Sequence, residues 1–124
     1  MSDSFPMFDV REVHQSIETG VVPKISPTAL RDALALGRDV AVVDVRAAED
    51  FAKGHVPGAV NLPLGQWNEA AGLSKDRVTV VYSYDHRCPL GGAACAELAG
   101  RGYPVVDMDG GFDIWQASES MPDS

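Results

Sequence analysis

Two short apolar runs, Val40-Ala-Val-Val-Asp-Val45 and Val78-Thr-Val-Val-Tyr82, constrain this chain more than anything else in it. Neither alternates polar with apolar, so each reads as a strand covered on both faces. Strands of that kind belong to parallel sheets flanked by helices. The segments around them carry helix punctuation. Asp9-Val-Arg-Glu12 is a capping box opening a helix, with Val10, Val13 and Ile17 on one face and Gly20 as its stop. Ser26 is an N-cap with Pro27 at N1, and the helix it opens carries Leu30, Ala33 and Leu34 and stops at Gly37. Further helices are expected over 47–53, ended by Gly54, over 89–99 and over 112–118, with a weak one over 64–71. Shorter strands are expected over 21–25, 59–62 and 105–108. The first is confined to a sheet edge, because Pro23 cannot donate to a ladder. The alternation predicts an α/β fold, a parallel sheet of about five strands covered by helices on both faces. Residues 23–120 form that domain, 1–22 an N-terminal extension with one helix, and 121–124 a tail.

A chain of 124 residues is long enough for one real core and too short for two. The net charge of −8 argues against nucleic acid and anionic membranes as partners. No apolar run is long enough to span a bilayer, and the acidic start MSDSFPMFDVRE lacks a signal core. A cytoplasmic, reducing location is therefore expected, with Cys88 and Cys95 as thiols. Seven positions apart on one helix, they would sit on the order of 10 Å from each other, too far for a disulfide.

Open parallel sheets bind ligands outside the carboxyl ends of their strands. The run 78–82 empties into the polar loop 83–88 and then into Pro89 and a helix of small residues. A strand that feeds a helix N-terminus through a loop gathers outward-pointing N–H groups, which suits an anion. A thiol there is favoured as a thiolate and becomes a nucleophile, so Cys88 is the candidate catalytic residue. Ser83, Tyr84, Asp85, His86, Arg87, Leu90 and Gly91 make up the anion or substrate loop, with His86 and Arg87 projecting toward the anion. Asp44 and Arg46, at the end of the other strong strand, support the loop by tying it to the sheet, and His55 orders the turn before Ala59. Cys95 reads as core filler, Phe112 and Trp115 as a core-facing stripe, and Asp107 and Asp109 as solvated residues at a strand end. His86 and Cys88 are spaced like metal ligands, but two ligands do not make a zinc site. No metal and no cofactor are expected.

Val43-Asp-Val-Arg46, Asp50-Phe51 and Gly54-His-Val-Pro-Gly-Ala-Val-Asn-Leu-Pro63 resemble the signature of the rhodanese-like domain. Gly110-Gly111 followed by Trp115 resembles that family's C-terminal signature. The resemblance implies a small α/β domain in which a cysteine at the tip of the fourth main strand takes the outer sulfur of thiosulfate or another donor. The persulfide then passes its sulfur to cyanide or a thiol. In this chain the strand-tip position is Ser83, which forms no persulfide and is a poor nucleophile without a partnered base. The loop is slightly longer than usual and resembles a subgroup with a second cysteine five positions on, which Cys88 matches. Gly91-Gly92 stands where that subgroup has a Gly-Ser or Ser-Thr pair. The resemblance thus implies a thiosulfate sulfurtransferase-like enzyme or persulfide carrier acting through Cys88. The alternative is a catalytically inactive module that binds an anion or a protein partner. Expected partners are a small sulfur-containing anion or a thiol acceptor. A cysteine phosphatase shares this general topology, but its arginine clamp would fall at Ala94.

Overall fold

The computed structural model describes residues 9–67, 73–85 and 87–119. In chain order the elements are α1 (Val10–Glu18), β1 (Lys24–Ile25), α2 (Pro27–Ala35), β2 (Val40–Asp44), α3 (Ala48–Lys53), β3 (Val60–Asn61), β4 (Val78–Tyr82), α4 (Pro89–Gly100), β5 (Val105–Met108) and α5 (Gly111–Glu119).

The two apolar runs lie side by side. β2 pairs in parallel with β4, Val40 opposite Val78 and Asp44 opposite Tyr82, and every residue of both is buried. Among the described residues five strands form one sheet in the order β1-β5-β4-β2-β3, with every pairing parallel. β4 is the middle strand. β1 is an edge strand of only two residues, shorter than the expected 21–25, because Pro23 offers no donor; its carbonyl still accepts from Asp107 N–H at 2.9 Å.

Successive strand residues point to opposite faces, which splits the core in two. Val40, Val42, Val78, Val80, Tyr82 and Val106 face Val13, Leu30, Phe112 and Trp115 from α1, α2 and α5. Val43, Val81 and Val105 face Ala94, Cys95 and Leu98 of α4. α1 begins at Asp9, whose carboxylate accepts from Arg11 and Glu12 N–H, and it buries Val13 while Val10 and Ile17 pack at the core margin. Ser26 Oγ accepts from Ala29 N–H at the start of α2. The segment expected as a weak helix over 64–71 opens as a turn at Leu64-Gly65, in line with the positive φ of Gly65. Residues 68–71 of that segment, Gly72 after it, residue 120, the 121–124 tail and the first eight residues lie outside the described residues.

Candidate functional site

The carboxyl end of β2 is closed by its own charges. Arg46 N–H and Nε–H donate to Asp44 Oδ1, and an Arg46 terminal nitrogen lies 2.8 Å from Asp44 Oδ2. Both side chains are almost wholly buried. Tyr82 O–H donates to Asp44 Oδ2 at 2.6 Å and accepts from Val56 N–H at 3.1 Å. The guanidinium also donates to Gly54 O at 2.6 Å and lies 4.1 Å over the Phe112 ring. Burial alone would lower the Arg46 pKa, but the hydrogen bond and charge of Asp44 override it and raise it. Burial, followed by the bond to Asp44, pushes the Tyr82 hydroxyl far above its usual range. Arg46 therefore supports the sheet end with every strong contact spent on the protein. His55 stacks on Phe51 at 3.7 Å and bonds Phe51 O through Nδ1, which orders the turn and keeps the ring beside α3.

The carboxyl end of β4 is open. Cys88 is the N-cap of α4, with extended backbone and Pro89 in the first turn, and its side chain caps no helix N–H. Its sulfur instead lies 3.1 Å from Ser83 Oγ at the strand tip. Ser83 is buried and Cys88 half-buried. Both border a cavity of about 140 Å³, walled also by Gly91 of α4, Asp107 and Asp109 at the end of β5, and Lys24 of β1. Asp85 completes the loop side. Its backbone C=O accepts from Cys88 N–H and its Oδ1 from Arg87 N–H, two local bonds that fold the loop. Larger hollows of about 580 and 760 Å³ open at the amino edge around Asp76 and contain no thiol.

The loop is clamped from behind by α5. Phe112 N–H donates to Ser83 O at 2.8 Å and Asp113 N–H to Tyr84 O at 3.0 Å. The approach is close enough that a Cβ on Gly111 would lie 2.7 Å from Ser83 O and 2.8 Å from Asp85 N, and Gly111 has φ +62°. Only glycine meets both demands.

Not every residue of the expected loop faces the thiol. Tyr84 turns toward α3, its hydroxyl donating to Asp50 Oδ2 at 2.6 Å and accepting from Ala47 N–H; the Asp50 bond raises its pKa. Leu90 packs on the α4 side of the core. Arg87 is exposed and is not among the cavity residues. His86 lies outside the described residues. Burial pushes the Cys95 thiol far up, leaving it chemically inert core filler. Asp107, expected to be solvated, is not: its side chain is 24% exposed, and burial raises its pKa against the opposing pull of Lys24 at 3.7 Å. Lys24 and Asp107 are the residues that reading along the chain misses. β1 reaches the site only through its pairing with β5, far away in sequence. The Gly110-Gly111 pair, read along the chain only as part of a C-terminal signature, borders the same cavity.

The family model described as "Rhodanese-like domain" matches residues 26–118. Thiosulfate sulfurtransferase GlpE of Pseudomonas savastanoi pv. phaseolicola is 33% identical over 101 residues, covering 78% of this chain and 87% of that one. The HTH-type transcriptional regulator Rv0324 of Mycobacterium tuberculosis is 33% identical over 79 residues, covering 63% of this chain; the match spans only 35% of that protein's length. Among solved structures, the BH2092 protein from Bacillus halodurans superposes with a TM-score of 0.74 at 25% identity, covering 88% of this chain and 82% of that one.

Proposed function

Because this chain belongs to the rhodanese-like domain family, we propose that it is a sulfurtransferase that carries sulfane sulfur on Cys88. The observation that carries the reading is the position of the Cys88 sulfur, at the N-cap of α4, bordering a cavity at the carboxyl end of the middle strand and 3.1 Å from a hydroxyl. The first-turn N–H groups of a helix have no intrahelical acceptor and favour negative charge, so they suit a thiolate and a persulfide anion alike. The thiosulfate sulfurtransferase among the relatives supports the same chemistry.

In the proposed reaction the Cys88 thiolate attacks the outer sulfur of the donor. The donor S–S bond breaks, and its electron pair leaves with the inner sulfur. A thiol or cyanide then takes the outer sulfur from the Cys88 persulfide and restores the thiolate. Ser83 acts as a positioning residue, its hydroxyl donating to the sulfur as charge gathers there. The reading needs a reducing, cytoplasmic setting, in which Cys88 and Cys95 stay as the free thiols they are here. Among the described residues no helix is long and apolar enough to cross a membrane.

Intact-mass measurement tests it. After incubation with a sulfane-sulfur donor the protein gains one sulfur atom, and cyanide removes it. Cys88→Ser abolishes the gain and Cys95→Ser keeps it. Serine at the strand tip favours a second reading, a non-catalytic module that binds a small anion or a protein. A wild type that takes up no sulfur from any donor selects that second reading.

A further inference from the structure

The wall of the Cys88 cavity is acidic. Asp85, Asp107 and Asp109 line it, and Lys24 is the cation that lines it with them. Lys24 Nζ lies 3.7 Å from Asp107 and 3.9 Å from Asp109, so its charge is divided between two carboxylates already in place. Arg46 is bound to Asp44, and Arg87 is not among the cavity residues. The helix ends add little. Phe112 and Asp113 N–H in the first turn of α5 are bonded to Ser83 O and Tyr84 O and do not serve the cavity, which that helix borders at Gly111. The N-terminus of α4 supplies about half a positive charge. Among the described residues of the wall, and with Asp107 counted as neutral, Asp85 and Asp109 outweigh Lys24 and that half charge together. A dianion approaching Cys88 is therefore repelled in a half-enclosed space where screening is weaker than in bulk water.

We propose that these carboxylates make Cys88 select a hydropersulfide donor, R–S–SH, over the dianion thiosulfate. The proposal rests on the sulfurtransferase reading and names the donor class for it. A hydropersulfide brings at most one negative charge on its reacting end. The Cys88 thiolate attacks the outer sulfur, and the S–S bond breaks. The outer sulfur stays on Cys88 with its hydrogen as Cys88–S–SH, and the electron pair leaves on R–S⁻, which takes a proton from water. No oxidant or reductant enters. Lys24 is a specificity residue in the opposite sense, since it offsets the carboxylates.

The test follows sulfur loading of Cys88 by intact mass over time in the full chain, with cysteine hydropersulfide and with thiosulfate. Each rate is divided by the same donor's rate with a free small thiol. The corrected hydropersulfide rate is expected to exceed the thiosulfate rate by about tenfold or more. Added salt should speed thiosulfate loading and narrow the gap. At mildly alkaline pH Asp107→Asn should raise the thiosulfate-to-hydropersulfide ratio severalfold, and Lys24→Gln should lower it. A thiosulfate rate at least as high as the hydropersulfide rate, or a ratio indifferent to salt and to both substitutions, overturns the selectivity and leaves Cys88 a sulfur carrier. Loading from neither donor overturns both.

Discussion

The carboxyl ends of β2 and β4 lie next to each other and are finished in opposite ways. At β2, Asp44 is neutralised by Arg46, two residues further along the same chain, and Tyr82 and Gly54 take up what hydrogen-bonding capacity remains. Arg46 also borders a hollow of about 240 Å³ beside Lys53 and Tyr84, but the hydrogen bonds of its guanidinium are spent on the protein. At β4, the strand ends on a hydroxyl and a thiol, and of the charged groups around them only Asp85 is local, the others coming from β1 and the end of β5, distant in sequence. An end that satisfies itself locally becomes structure. An end whose neighbours are delivered by topology, with a cavity left between them, can become a site. Two cations, Arg46 and Lys24, stand on the two sides of this divide: one is buried in an ion pair, the other is half in water.

Arg46→Ala probes the closed end and should have the largest effect. It strands the buried Asp44 carboxylate, and breaking such a pair costs about 3–5 kcal/mol. A large fall in the urea midpoint is expected, with loss of sulfur uptake only where the protein unfolds. If the midpoint holds and uptake falls, Arg46 belongs to the open end and the division between the two is wrong. Gly111→Ala probes the clamp between them. A left-handed alanine and a backbone collision with the loop together cost roughly 2–4 kcal/mol. Unchanged thermal melting would mean that α5 does not hold the loop.

The strands and helix starts that carry both ends could be read in the sequence, and the contacts that finish those ends largely could not. Val40–Asp44 and Val78–Tyr82 declare themselves because full burial leaves them almost wholly apolar. Ser26-Pro27 and Asp9 declare helix starts because caps are local chemistry. Asp44 and Arg46 were expected to tie the loop to the sheet, whereas the structure bonds them to each other and Arg46 to Gly54. The acidic wall is not legible either, because Lys24 meets Asp107 only after β1 has crossed the sheet to pair with β5. Nor does spacing reveal that Tyr84 and Leu90 turn away from the thiol. That is decided by Asp50 and by the α4 side of the core, which loop sequence alone does not specify.

Ser83→Cys sharpens the picture of the open end. A cysteine at the family's strand-tip position should speed sulfur uptake in the reduced protein. Because Ser83 Oγ is 3.1 Å from the Cys88 sulfur, the new thiol also lies within reach of a disulfide. The oxidised variant should take up no sulfur, and closing so short a loop should stabilise it by about 2 kcal/mol. Free-thiol titration under oxidising and reducing conditions reads both states. Two free thiols at the loop after oxidation would show that the side chains at 83 and 88 do not face each other.

Asp107→Asn should have the smallest effect, and its sign is informative. Burial raises the Asp107 pKa in the folded protein, Lys24 pulls it down and Asp109 pushes it up again. Cys95, Cys88 and the loop carboxylate of Asp85 are further titratable groups nearby. A carboxyl with a raised folded-state pKa binds its proton more tightly folded than unfolded. Wild-type stability should therefore fall as pH rises from the ordinary carboxylate range through the folded value. Asparagine resembles the protonated side chain and escapes that loss. At neutral pH the variant should melt above the wild type. Below the ordinary carboxylate range the two curves should converge. A variant less stable at neutral pH would mean that the ion pair with Lys24 outweighs burial. Asp107 and Lys24 would then be a balanced pair, as at the end of β2, while Asp85 and Asp109 would still face an approaching dianion.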